Sequence, residues 1–194
     1  MKNNSLILTD LNSTIIAQER AISRVLYTLN ERPKTQNNFL SLLFFVGSPY
    51  VGKRLLAHEI AKKDHRIEHY RVFDMSRFDT PESGNELYAI TLSDEGEAVA
   101  MGELYTLMQK HPSAVIVFDK IEEANLKVQH TIAKMISDSE SFGISFSSAI
   151  IIFTSTEGEK LYQQESYLIL GEAKPLHARA VMVDYLASLV LESE

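Results

Sequence analysis

Residues 39–54 read Phe39-Leu40-Ser41-Leu42-Leu43-Phe44-Phe45-Val46-Gly47-Ser48-Pro49-Tyr50-Val51-Gly52-Lys53-Arg54, an apolar run that breaks into a glycine-bounded turn and closes on a lysine. The run before Gly47 has the length and composition of a buried parallel strand, and Lys53 to Lys63 carries helical spacing. A strand, a Gly-rich turn and a helix in that order form a cradle for phosphate. Successive backbone N–H groups wrap the anion, the glycines permit the tight path, the lysine bridges phosphate oxygens, and a closing Ser or Thr ligates Mg²⁺. In this chain the closing position is Arg54. A guanidinium has five N–H donors and no lone pair to give a metal, so metal-assisted ATP hydrolysis of the usual kind is not expected.

Working outward from the loop, three further apolar runs each end in a polar residue: Tyr70 to Phe73 at Asp74, Ala114 to Phe118 at Asp119, and Ala149 to Phe153 at Thr154-Ser155. Helical spacing appears at about Gly102 to Lys110 and Leu126 to Ser137, and again at Thr14 to Leu29, where Ile15, Ile16, Ala21, Ile22, Val25, Leu26 and Leu29 share a stripe. Strands alternating with helices imply an α/β fold, a three-layer α/β/α sandwich around a five-stranded parallel sheet. The fifth strand is expected in one of two late apolar runs, Tyr167 to Leu170 or Val181 to Val190. The later run has the better claim because it follows Arg179. Glu31 to Asn38 is a polar connector, which divides the chain into a leading helix with its connector over 1–38 and a core over 39–194. Thr80 to Met101 reads as a loop with one helical turn.

The chain of 194 residues, 45% hydrophobic and 23% charged, suits one soluble globular domain, or one domain with a small appendage. A net charge of −7 leaves no basic face to displace counterions from a phosphate backbone, which argues against nucleic acid as the main partner. Without cysteine, disulfides, thiol nucleophiles and thiolate metal sites are excluded. The four-residue apolar stretch near the start is too short for a signal peptide, and no apolar run spans a bilayer, so no membrane is expected and the location is expected to be cytoplasmic. His65 and His69 have the i, i+4 spacing of a metal pair but lack a third ligand at useful spacing. No Gly-x-Ser-x-Gly elbow is present.

Four segments in order resemble one family, the AAA+ large subdomain of the Clp unfoldases, specifically the second ATPase ring of the disaggregase type. They are Ile15 to Ile22 (IIAQERAI), with Ala17 where the family has glycine; Phe73-Asp74-Met75-Ser76; His111-Pro112 with Ala114 to Asp119 and Ile121-Glu122-Glu123-Ala124; and Ile150 to Ser155. A likeness to the AAA+ module of transcriptional activators is weaker, because Ile121 to Ala124 and Asp74 to Ser76 favour the Clp type. The resemblance implies a P-loop fold that binds ATP or ADP through Gly47, Ser48, Pro49, Tyr50, Val51, Gly52, Lys53 and Arg54, together with Ile16 and Thr156. It also implies Mg²⁺ on Asp119, and an arginine finger at Arg179 within Lys174 to Arg179, although that block is shorter than the family's.

The departures bear on activity. The family's catalytic glutamate, which polarises the attacking water, is Lys120 here. Positioned acid–base catalysis contributes roughly 10²–10⁴-fold, so an ammonium there removes ordinary turnover. Glu122 and Glu123 lie nearby, but the first matches a glutamate that already accompanies the catalytic one. Thr156 stands for the asparagine that holds the water, and Tyr50 replaces the middle loop glycine. Asp94 to Gly96 falls where the family carries its aromatic pore loop and has no aromatic residue. The sequence ends at Glu194, where the family's small helical domain begins.

Each site residue therefore has two readings. Lys53 is a phosphate ligand or a solvated remnant. Arg54 is merely tolerated, or its charge stands in for the metal. Asp119 is a metal ligand, or a strand-end carboxylate paired to Arg54 or Lys53. Arg179 is a finger or a surface arginine at a helix end. The function expected is that of a hydrolysis-deficient Clp-like protein, binding ATP weakly or not at all, and acting as a pseudo-ATPase subunit, adaptor or assembly regulator. Its partner would be another AAA+ subunit or a client protein, in a homo- or hetero-oligomer. The alternative is a slow protein-remodelling ATPase, active only when a mixed ring completes its site.

Overall fold

The apolar run before Gly47 forms a strand, β1 (Ser41–Val46), and Lys53–Lys63 forms a helix, with the glycine-bounded turn between them. These features are seen in a computed structural model that describes residues 11, 15, 18–30, 40–92, 98–139, 142–157 and 169–170. In chain order the helices are α1 (Glu19–Asn30), α2 (Lys53–Lys63), α3 (Asn85–Tyr88), α4 (Glu103–Lys110) and α5 (Leu126–Ser137). The strands after β1 are β2 (His69–Asp74), β3 (Ile90–Leu92), β4 (Ala98–Met101), β5 (Ala114–Asp119), β6 (Ile150–Ser155) and β7 (Ile169–Leu170). Short 3₁₀ turns follow β2 and β5, over Met75–Phe78 and Ile121–Glu123.

The main sheet has the order β2-β5-β6-β1-β7. Its first four strands are parallel, and their register sets Asp74 against Asp119 and Val46 against Ser155. All four therefore end along one edge, the side on which open parallel sheets present ligand sites. The central strands β5 and β6 are buried at every position, as expected where both faces are covered by helices.

Alternation along the strands divides the core in two. Phe73, Phe118 and Phe153 point to the layer containing Leu104, Met108, Val128 and Ile132 of α4 and α5. Neighbouring rings lie 5.7 and 5.2 Å apart. A buried phenylalanine contributes about 1.5–3 kcal/mol, and this row ties β2, β5 and β6 together one residue below their polar ends. Val115, Val117, Ile150 and Ile152 face the other way, onto Leu56 and Ile60 of α2 and Ile22 and Val25 of α1. Asp119 and Thr154 continue this second set, so their side chains emerge on the α2 face.

Several expectations change. Helix α1 begins at Glu19, and the described residues Ile15 and Gln18 before it are not helical. The described residues of Thr80 to Met101 are more ordered than a loop: the helical turn is α3, and β3 and β4 pair antiparallel with an irregularity between Thr91 and Leu92. Strands of three and four residues are too short to impose a readable period. The fifth strand of the described sheet is β7, from the earlier of the two late runs, and it pairs antiparallel with β1 through Phe45 with Leu170 and Val46 with Ile169. Val181 to Val190 lies outside the described residues. Among the described residues no helix is long and apolar enough to cross a membrane.

The β3–β4 pair is anchored at Gly102, whose N–H donates to the Ala89 carbonyl at 2.7 Å. A Cβ at Gly102 would lie 2.5 Å from the carbonyl carbon and oxygen of Leu87 and from the Tyr88 nitrogen. Because these are backbone atoms, Gly102→Ala is expected to destabilise the fold by about 2–3 kcal/mol. That corresponds to a melting point roughly 5–10 °C lower by calorimetry.

Candidate functional site

The turn between β1 and α2 follows a phosphate-loop path. Gly52 has φ +97° and Tyr50 φ +66°, so a bulky side chain occupies a left-handed position that favours glycine. The cost is about 1–2 kcal/mol, and nothing offsets it locally, since the Tyr50 side chain is fully exposed. The parallel partner β6 holds the loop's start, with Gly47 N–H donating to the Ser155 carbonyl at 3.2 Å. Ile15 lies against the loop's end, its Cγ2 3.9 Å from where a Cβ on Gly52 would stand.

Lys53 is buried and turns back over the loop. Its ammonium donates to the carbonyls of Gly47 at 2.5 Å and Ser48 at 2.9 Å. The helix behind it starts without an acidic residue in its first turn and without a side-chain cap. Its first backbone N–H groups and their positive dipole end therefore remain suited to an anion. A phosphate entering the loop would exchange the two neutral carbonyl acceptors of Lys53 for anionic oxygens.

Asp119 stands beside the helix start. It is buried, accepts a hydrogen bond from the Thr154 hydroxyl on Oδ1 at 2.6 Å, and has an Arg54 guanidinium nitrogen 3.5 Å from Oδ2. Thr154 Oγ1 also accepts the Lys120 backbone N–H at 3.0 Å, which ties the end of β5 to β6. The pairing of Asp119 with Arg54 is one of the two alternatives read from the sequence. Mg²⁺ needs oxygen ligands in near-octahedral order and gives up its waters reluctantly. Here the hydroxyl ligand is replaced by a cation, and both Asp119 oxygens are engaged. Among the described residues no group of three or more His, Asp or Glu side chains is arranged for a metal. The residues present do not fit the ion.

Lys120 adopts the left-handed conformation at φ +59° and ψ +59°, and its ammonium lies 3.0 Å from Glu123 Oε1. The hydrogen bond and charge of Glu123 raise its pKa above the usual lysine value, so it is a cation at neutral pH. Across the strand ends, Asp74 is held below the usual carboxylate range by its hydrogen bond from the Ser76 hydroxyl, reinforced by the backbone of Ser76 and by Lys120 and Arg54. Burial pushes the Tyr70 phenol up, with Arg54 acting in the opposite direction.

Thr156, expected beside nucleotide, is bound to Glu122, whose Oε1 accepts its N–H at 2.7 Å and its hydroxyl at 2.8 Å. Glu122 Oε2 is buried with no hydrogen-bond partner. Sequence reasoning missed this contact, although the pairing of Phe118 with Phe153 already implied that the segments after β5 and β6 run side by side. Ile16, Arg179 and Asp94 to Gly96 lie outside the described residues. The ring of His69 stacks on His111 at 4.4 Å, and burial, then His111 and Arg71, push its pKa down.

Residues 39–189 match the family described as AAA domain (Cdc48 subfamily). This chain belongs to that family. The AAA domain is similar to the ATP-dependent Clp protease ATP-binding subunit ClpE of Bacillus subtilis, 27% identical over 161 residues, a stretch covering 76% of this chain and 22% of that protein. It is similar to the chaperone protein ClpB of Gloeobacter violaceus as well, 29% identical over 163 residues, 77% of this chain and 18% of the relative. The chain thus spans about a fifth of the length of these curated relatives. Its fold matches a cryo-EM reconstruction of Hsp104 with ATPγS and FITC-casein, with a TM-score of 0.70 and 20% identity over 98% of this chain and 33% of that one. The expected Clp-like AAA+ relationship and α/β fold hold.

In this AAA domain the strained tyrosine offers a direct measurement. Tyr50→Gly removes the left-handed penalty and loses no buried contact, while adding the unfolded-chain freedom of glycine. The net gain is expected to be about 0.5–1 kcal/mol, read as a higher urea midpoint with an unchanged m-value.

Proposed function

We propose that this AAA domain binds ADP or ATP in the Gly47–Arg54 loop, does not hydrolyse ATP at an ordinary rate, and works through contacts with proteins. The observation that carries this reading is the Lys120 ammonium, held by Glu123 where the family's glutamate would polarise water. An ammonium lacks the lone pair needed to accept the water's proton. When bound, nucleotide supplies the phosphate charge that Lys53 and the start of α2 are built to meet. Ile16 and Thr156 are the further nucleotide contacts, and Arg179 acts as a finger toward a neighbouring subunit. The partner is another AAA+ subunit or a client polypeptide, in the cytoplasm, and the role is that of a pseudo-ATPase subunit, adaptor or assembly regulator. ClpE is named as the ATP-binding subunit of a protease, and the Hsp104 reconstruction contains casein, which supports partners of this kind.

A second reading, a slow remodelling ATPase completed by an active neighbour, is favoured by one feature. Glu122 holds a buried carboxylate oxygen without a partner, next to Thr156, and this could accept a proton from water delivered by a rearranged site.

Titration calorimetry with ADP and ATP on the native chain and on Lys53→Ala tests nucleotide binding. The mutant is expected to bind at least about tenfold more weakly, and no heat from the native chain at millimolar nucleotide would end the nucleotide-binding reading. Steady-state phosphate release is expected at background. Measurable turnover that falls about 10²-fold or more in Glu122→Gln would establish the second reading instead.

A further inference from the structure

The residues that should hold a divalent cation are a hydroxyl after the loop lysine and a carboxylate at the end of β5, and this chain has changed only the first. Arg54 is not simply a side chain that fails to ligate. Its guanidinium approaches the carboxylate that would have held the metal, 3.5 Å from Asp119 Oδ2, while Thr154 occupies Oδ1. Asp119 itself is buried and keeps its place in the sheet, so the negative half of the metal site is intact. The positive half is now covalently part of the chain.

The surroundings agree with this substitution. Asp74 pairs across the sheet with Asp119, and the charge of Arg54 is felt at both Asp74 and Tyr70. Lys120, the other cation at the strand ends, is engaged by Glu123. The Arg54 side chain is 62% exposed, and its contact with Asp119 uses one nitrogen of a planar fork that carries five donors. Such a fork matches phosphate oxygens in paired fashion. It lies on the first turn of α2, adjacent to Lys53 and the helix N-terminus, where an anion is favoured. A divalent ion entering with nucleotide would meet a fixed positive charge and a carboxylate already engaged.

We infer that Arg54 replaces Mg²⁺ in this site, so that the loop takes nucleoside diphosphate or triphosphate as the free, metal-uncomplexed anion. The inference rests on the nucleotide-binding reading above and specifies the ionic form of its ligand. Arg54, anchored on Asp119, balances the charge of the terminal phosphates, and Mg²⁺ competes with the site for the ligand instead of bridging the two. No bond is made or broken.

Calorimetric titration of the native chain with ADP in excess EDTA and in millimolar Mg²⁺ tests this. Affinity in EDTA is expected to equal or exceed that in Mg²⁺, and ATP is expected to bind about threefold or more tightly when the metal is chelated. ADP binding about tenfold or more weaker in EDTA would overturn the inference and leave the nucleotide-binding reading standing. Failure to bind in either condition would end both. Arg54→Ser restores a hydroxyl and releases Asp119, and it is expected to reverse the preference so that Mg²⁺ strengthens binding about tenfold. An Arg54→Ser chain that folds by circular dichroism yet binds ADP indifferently to Mg²⁺ would also overturn the inference. Arg54→Lys keeps the charge and is expected to keep the native preference, binding ADP in EDTA at least as tightly as in Mg²⁺, and a requirement for metal in that variant would overturn the inference.

Discussion

Parallel pairing of four strands in one register is the constraint on which the site depends. Because Asp74 sits against Asp119 and Val46 against Ser155, the loop after β1, the carboxylate of β5 and Thr154 of β6 reach the same sheet edge. No long loop is needed to collect them. The phenylalanine row beneath this edge opposes sliding of one strand past another. A slip of a single residue would move Asp119 to the wrong face of the sheet. The precision of the pocket is therefore inherited from the core.

Upon that scaffold the side chains form a closed arrangement of charges. Lys53 is satisfied by loop carbonyls, Asp119 by Thr154 and Arg54, Lys120 by Glu123, and Thr156 by Glu122. Of the side chains just named, Glu122 has one oxygen, Oε2, that is buried without a hydrogen-bond partner. Buried polar groups left without partners are costly, which is why each of these side chains is found with one. Arg54 and Lys120 behave alike in this respect, each cation meeting a carboxylate at or just beyond the strand ends, Asp119 and Glu123.

The parts of the fold with strong local signal could be read directly. The strand–turn–helix around Lys53 and the runs ending at Asp74, Asp119 and Thr154 were marked by abrupt changes from apolar to polar residues, and the alternation of faces followed from them. Asp119 beside Arg54 is one of two legible pairings, and the approach of the first turn of α2 to the end of β5 selects it. The β3–β4 pair was not legible, since seven residues of strand with an irregularity between Thr91 and Leu92 leave no period. Nor was the direction of β7 along β1, because two residues carry no sign of it. The Glu122–Thr156 contact depends on two segments far apart in sequence, and only the strand register brings them into view.

The self-contact of Lys53 has a wider consequence. In a loop whose lysine waits in water for phosphate, the empty state leaves a charge poorly placed, and ligand does part of the work of ordering the turn. In this chain the lysine clamps its own loop through the carbonyls of Gly47 and Ser48, so the turn is held by contacts within the chain. The order of this turn thus rests on the chain's own residues, so that an exchange of Lys53 is felt in the shape of the loop as well as in its charge.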